Sequence, residues 1–93
     1  IVIAAATQYP AGSLARRDID LEASTLLSHY LQNIALACDR APALDLACGT
    51  GRNGLFLLAS GIPVVFADRD SHSLEHIKQH LAAQACERQR ELA

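Results

Sequence analysis

The stretch LDLACGTGRNG, residues Leu44 to Gly54, decides how the rest of this chain is read. A short run interrupted only by Asp45 meets three glycines spaced G-x-G-x-x-G, Gly49, Gly51 and Gly54, and the chain turns apolar again through Leu55 to Leu58. Pro42 and Gly49 bound ALDLAC as a buried strand, too short for a helix. GRNGLFLLAS fits a helix of about two to three turns, and Gly61 is its stop signal. PVVFAD, β-branched and aromatic with Pro63 at its start, reads as a second strand.

Working outward, Ser71 is the expected N-cap of a last helix whose apolar face is Leu74, Ile77, Leu81 and Ala85. Upstream, Ala23, Leu27, Tyr30, Leu31, Ile34 and Cys38 fall on one face at three- and four-residue steps. They predict a helix over Leu21–Ala37 with Asp18 or Asp20 as N-cap, ended by Asp39, Arg40 and Pro42. YPAGSLARRD, from Tyr9 to Asp18, reads as a loop. The expected division is an extension or linker over 1–20 and a folded unit over 21–93. The order helix-β-α-β-α makes the class α/β, and a single helical crossover makes its strands parallel. The opening IVIAAAT is a candidate third strand.

Composition narrows the partners. Ninety-three residues allow at most one small domain, near the lower limit for a self-sufficient core. With 51% apolar and 19% charged residues the chain reads as globular rather than disordered. A net charge of −2, with Lys and Arg scattered, offers no basic stripe for nucleic acid or for an anionic membrane surface. IVIAAAT is too short to span a bilayer and has no basic region ahead of it, so it is not read as a signal peptide. The three cysteines, Cys38, Cys48 and Cys86, form no C-x-x-C, which suits a reducing compartment; the expected location is cytoplasmic.

A turn from strand to helix presents free backbone N–H groups at a positive helix end, and glycines let a ligand lie against bare backbone. On that reading Gly51→Val would fill space the ligand needs. Asp68 follows Gly49 by nineteen positions, at the tip of the second strand, where a carboxylate can accept from the paired hydroxyls of a ribose. This spacing also fits a dinucleotide fold. The bland alternative is that the glycines only turn the chain.

The residues from Pro42 to Ser73 resemble the first two motifs of class I methyltransferases that use S-adenosylmethionine. CGTGRN looks most like their tellurite-resistance and thiopurine methyltransferase-like branch. Such families read acid-x-Gly-x-Gly-x-Gly; here Asp45, Ala47, Gly49 and Gly51 take those places, and Ala47 departs from the pattern. The resemblance implies a Rossmann-like class I methyltransferase fold, of which this chain would be the N-terminal, cofactor-binding half.

It further implies that S-adenosylmethionine meets Asp45, Ala47, Cys48, Gly49, Thr50, Gly51, Asn53, Asp68 and Arg69. The backbone from Cys48 to Gly51 would line the methionine moiety, Asp68 would hold the ribose, and Arg69 would pack on the adenine. Arg52 and Asn53 would order the loop through backbone bonds, and the helix before the first strand would pack beside the cofactor. Asp45 favours this family over an NAD-type enzyme, because a buried negative charge suits an ammonium and a sulfonium better than a pyrophosphate. Its structural alternative is a carboxylate bonded to loop amides. Nothing next to Cys48 would lower its pKa, so it is not read as a nucleophile.

His72, His76 and His80 share one face of the last helix, opposite Leu74, Ile77 and Leu81, and read as a solvated polar face rather than a metal site. The resemblance implies seven strands, and this chain accounts for two or three. The open edges left over imply either the N-terminal half of a larger enzyme or completion by homo-oligomerisation. The expected function is therefore S-adenosylmethionine-dependent methyl transfer to a small molecule or other acceptor, with no general base identified. The alternatives are a non-catalytic nucleotide-binding or assembly module and an NAD-type dehydrogenase fragment.

Overall fold

The computed structural model describes residues 5–14 and 24–92. In chain order they form β1 (Ala5–Tyr9), α1 (Thr25–His29), α2 (Leu31–Ala37), β2 (Ala43–Leu46), α3 (Arg52–Ala59), β3 (Val64–Asp68) and α4 (Ser71–Leu92). The β2-α3-β3 unit is the parallel crossover expected from the glycine stretch, with Ala43 opposite Val64 and Leu46 opposite Ala67.

The expectation of parallel strands throughout needs correction. The sheet has three strands in the order β1-β3-β2, and β1 runs antiparallel to β3, from Ala5 opposite Asp68 to Tyr9 opposite Val64. A single crossover sets direction only for the strands it joins; β1 and β3 are separated by two helices, a strand and a third helix, so nothing local dictates their sense. Residues Ala5–Tyr9 thus belong to the sheet, although they fall within the stretch read as an extension or linker.

Register explains where the core sits. Tyr9, Asp45, Val64 and Phe66 share one face of the sheet, and α3 and α4 cover it. Phe66, Val64, Leu58 and Ile77 are the largest fully buried side chains, each worth about 1.5–3 kcal/mol of transfer free energy. Tyr9 meets Phe66 edge to face at 5.8 Å between ring centroids. Leu57 and Ile62 are buried at the end of α3, where Ile62 N–H donates to Leu57 O and Gly61 N–H to Leu58 O, both at 3.0 Å. Gly61, at φ +86°, is the left-handed residue this double bond requires, as its place in the sequence implies.

Three local expectations change. The helix predicted over Leu21–Ala37 is broken at Tyr30 (φ −102°, ψ 16°), whose ring turns out to meet His29 edge to face and stays 48% exposed. Leu27, Leu31, Ile34 and Cys38 do pack against the core; Ala23 and the caps Asp18 and Asp20 lie outside the described residues, and Ser24 is the N-cap observed. Secondly, Ala85 is exposed, because α4, about 33 Å long at its length, outruns a β3 of about 17 Å. Thirdly, ALDLAC is not buried on both faces. Leu44 is 61% exposed and Leu46 39%, since β2 is an edge strand whose second face has no cover among the described residues.

Candidate functional site

Residues Ala47 to Gly51 cross from β2 to α3 at the carboxyl end of the parallel pair, the end where open α/β sheets bind ligands. The loop is held by backbone bonds. Cys48 N–H donates to Ala67 O at 3.2 Å, and Gly51 N–H donates to Cys48 O at 2.8 Å. Ala47 sits at φ +56°, a left-handed conformation in the slot where the resembling families place glycine.

The three glycines have different jobs. A Cβ on Gly49 would meet nothing within 4 Å, so this backbone lies open to a ligand. A Cβ on Gly51 would lie 2.7 Å from Ile77 Cδ1 and 3.3 Å from Phe66 Cε1. The expectation that Gly51→Val would fill ligand space is therefore corrected: the space is occupied by the core. A Cβ on Gly54 would collide with Phe66 and stand 2.8 Å from Asp45 Oδ2, so this glycine lets α3 approach β3 closely.

Asp68 is joined to the loop across nineteen residues. Its Oδ2 accepts from Gly49 N–H and its Oδ1 from Asp70 N–H, both at 2.9 Å. These donors, Asp70 first and Gly49 second, hold its carboxyl below the usual range, and Arg69 beside it adds a smaller effect. Arg69 and Thr50 are exposed.

Asp45 is half-buried on the helix-covered face, and its Oδ2 accepts from Gly54 N–H at 3.1 Å. This is the amide-bonded carboxylate weighed as the structural alternative, though the amide belongs to the first turn of α3 rather than to the loop proper. Burial pushes the Asp45 carboxyl up; the Gly54 bond partly offsets this, and the charge of Asp68 adds to it. The Cys48 thiol is pushed up to about 11 by burial and then by Asp45 and Asp68, so it stays protonated at neutral pH and is no nucleophile there. Asn53 does bond to backbone, but Oδ1 accepts from Ser24 N–H at 2.9 Å, tying α3 to the start of α1 rather than ordering the glycine loop.

Sequence reasoning missed Asp70. It is the N-cap of α4 in place of Ser71: its Oδ1 accepts from His72 N–H at 3.0 Å and its Oδ2 from Ser73 Oγ at 3.4 Å. An aspartate just ahead of the first helical residue was the available signal. His72 and His76 are exposed, yet with Asp70, Ser73, Gly49 and Thr50 they border a depression of about 330 Å³, at the low end for a small-molecule site. Their proximity to the loop cannot be read from helical spacing alone. Among the described residues no group of three or more His, Cys, Asp or Glu is placed to hold a metal ion, and no helix is long and apolar enough to cross a membrane.

A parallel β-α-β unit whose glycine loop is bonded to an acid at the next strand tip defines the chain as an α/β protein. The family model described as tellurite resistance protein TehB matches residues 22–90, well over half of the sequence, and the chain belongs to this family of S-adenosylmethionine-dependent methyltransferases. No match to the chain was found among curated proteins or among solved structures.

Proposed function

We propose that this chain binds S-adenosylmethionine across the carboxyl ends of β2 and β3 and presents it for methyl transfer to an acceptor. The observation that carries the reading is the pairing of an open glycine backbone at Gly49 with the partly exposed, negatively charged carboxylate of Asp68. A carboxylate with unfilled acceptor positions suits ribose hydroxyls and repels a 2′-phosphate. When bound, the cofactor supplies a methyl group activated by its sulfonium.

The chain's own residues bind and orient. Asp68 holds the ribose, Gly49 and Thr50 offer backbone to the methionine part, and Arg69 covers the adenine. Asp45 supplies negative charge beneath the loop, which favours the ammonium and the sulfonium. With the Cys48 thiol held protonated, proximity and orientation are the means of acceleration left to these residues.

The test is a calorimetric titration with S-adenosylhomocysteine, with NAD as control and a melting curve of the same sample. Saturable binding of the former alone is expected. Binding of NAD alone would sink the assignment in favour of a dinucleotide enzyme. A second reading, a module that assembles through β2, is favoured by the exposure of Leu44 and Leu46; ligand silence from a cooperatively folded chain that sediments as an oligomer would select it.

A further inference from the structure

Among the described residues, no side chain packs within 4 Å of the position a Cβ on Gly49 would take at the tip of the glycine loop. Thr50 is exposed, Gly49 has open space around it, and glycine is the residue with most backbone freedom to lose. What reaches the tip is Asp68, whose two oxygens accept from Gly49 on one side and from Asp70, the cap of α4, on the other. We propose that Asp68 is a positioning residue for the glycine loop as well as a ribose ligand, so that one carboxylate couples the nucleoside and amino-acid ends of the ligand.

The inference rests on the cofactor reading above and goes beyond it. A carboxylate has about four acceptor positions; Gly49 and Asp70 N–H fill two, the Arg69 N–H contributes more weakly, and the positions left over can accept from ribose hydroxyls. Loop latch and ribose capture can therefore coexist. A ribose that orders the carboxylate also orders Gly49, and by linkage an amino-acid end settled on the loop strengthens the ribose contact. Asparagine has a single acceptor oxygen, so Asp68→Asn keeps the shape and cannot serve both N–H groups as the carboxylate does.

The experiment combines amide exchange in the free chain with two titrations, using S-adenosylhomocysteine and its 2′,3′-dideoxy analogue, for wild type and Asp68→Asn. Exchange at Gly49 is expected to rise about tenfold in the variant, the equivalent of losing a hydrogen bond to a charged group. Affinity for the dideoxy analogue, which has no hydroxyls for Asp68 to hold, is expected to fall several-fold. An unchanged affinity for that analogue, alongside a fall for the parent compound, would show that Asp68 only binds ribose and overturn the coupling.

If neither compound binds the wild type, the cofactor reading fails by itself and the latch is judged on exchange: unchanged protection at Gly49 overturns it. Should the variant not fold, the wild-type chain still decides. Among the described residues, Asp45, Cys48, Arg69 and Asp70 are titratable or charged groups that bear on Asp68. On acidification the amide shift of Gly49 should follow the lowered titration of the Asp68 carboxyl, nineteen residues away in sequence. A Gly49 amide shift that does not move through that titration would refute the anchor.

Discussion

Ala47 shows the residue scale most directly. At φ +56° it holds a conformation that costs an L-residue about 1–2 kcal/mol, and glycine would adopt it freely. Ala47→Gly loosens the unfolded chain by about 0.4–1 kcal/mol, so the net expectation is a stabilisation of about 0.5 kcal/mol. A melting temperature higher by roughly 2–4 °C would register it; a lower one would mean that the loop is not strained there. Asp45 and Asp68 offer a second test, because burial raises one carboxyl and backbone donors lower the other. The native state holds the Asp45 proton more tightly than the unfolded chain does, so its ionisation opposes folding at neutral pH, and the penalty lifts as pH falls through the raised value. Asp68 has the opposite sign: its contribution is present above the ordinary carboxyl range, near ~3.9, and is lost as pH falls through the lowered value. Asp45→Asn keeps an acceptor for Gly54 N–H and removes the charge. Its melting temperature at pH 7 is expected to equal or exceed that of wild type, while affinity for S-adenosylhomocysteine, whose amino group is cationic, decreases.

At the scale of elements, the start of α4 separates two neighbouring residues that look alike as caps. Asp70→Ala removes the acceptor for His72 N–H and is expected to cost about 1 kcal/mol, lowering the melting temperature by about 4–8 °C. Ser71→Ala is expected to stay within about 0.5 kcal/mol. The reverse ranking in a melting series would reinstate Ser71 as the cap. The same helix shows what a sequence face can and cannot say. Leu74, Ile77 and Leu81 are buried as their spacing implies, whereas Ala85 continues the spacing past the edge of the sheet and is exposed among the described residues. His72 and His76 point outward as expected, whereas His80 is half-buried, and only the position of α4 beside Gly49 and Thr50 makes His72 and His76 part of a depression.

At the scale of the whole molecule, one face of the sheet is core, and on the other the edge strand β2 is left open among the described residues. Phe66 is fully buried beneath α3 and α4, whereas Leu44 on the opposite face is 61% exposed. Truncation should respect that asymmetry: Leu58→Ala is expected to cost about 2–5 kcal/mol, and Leu44→Ser to stay within about 0.5 kcal/mol. Denaturant titrations of the two variants would check this, and a large loss for Leu44→Ser would mean that β2 is covered in solution. Parallel strands are ordinarily buried on both faces, so β2 is the element whose surroundings matter most to the assembly reading.

The β2-α3-β3 crossover, the glycine turn, the stop at Gly61 and the acid at the strand tip could all be read from the chain, because each depends on bonds within a few residues or on one fixed crossover. The direction of β1, the break at Tyr30, the exposed side of β2 and the separate duties of Gly49 and Gly51 could not. They depend on which surfaces meet: a strand arriving from far away in sequence, a ring that meets His29 and stays half exposed, a layer that covers one face, and Ile77 pressed against one glycine and not the other. Local spacing encodes what a residue can adopt, and only packing between distant elements decides what it touches.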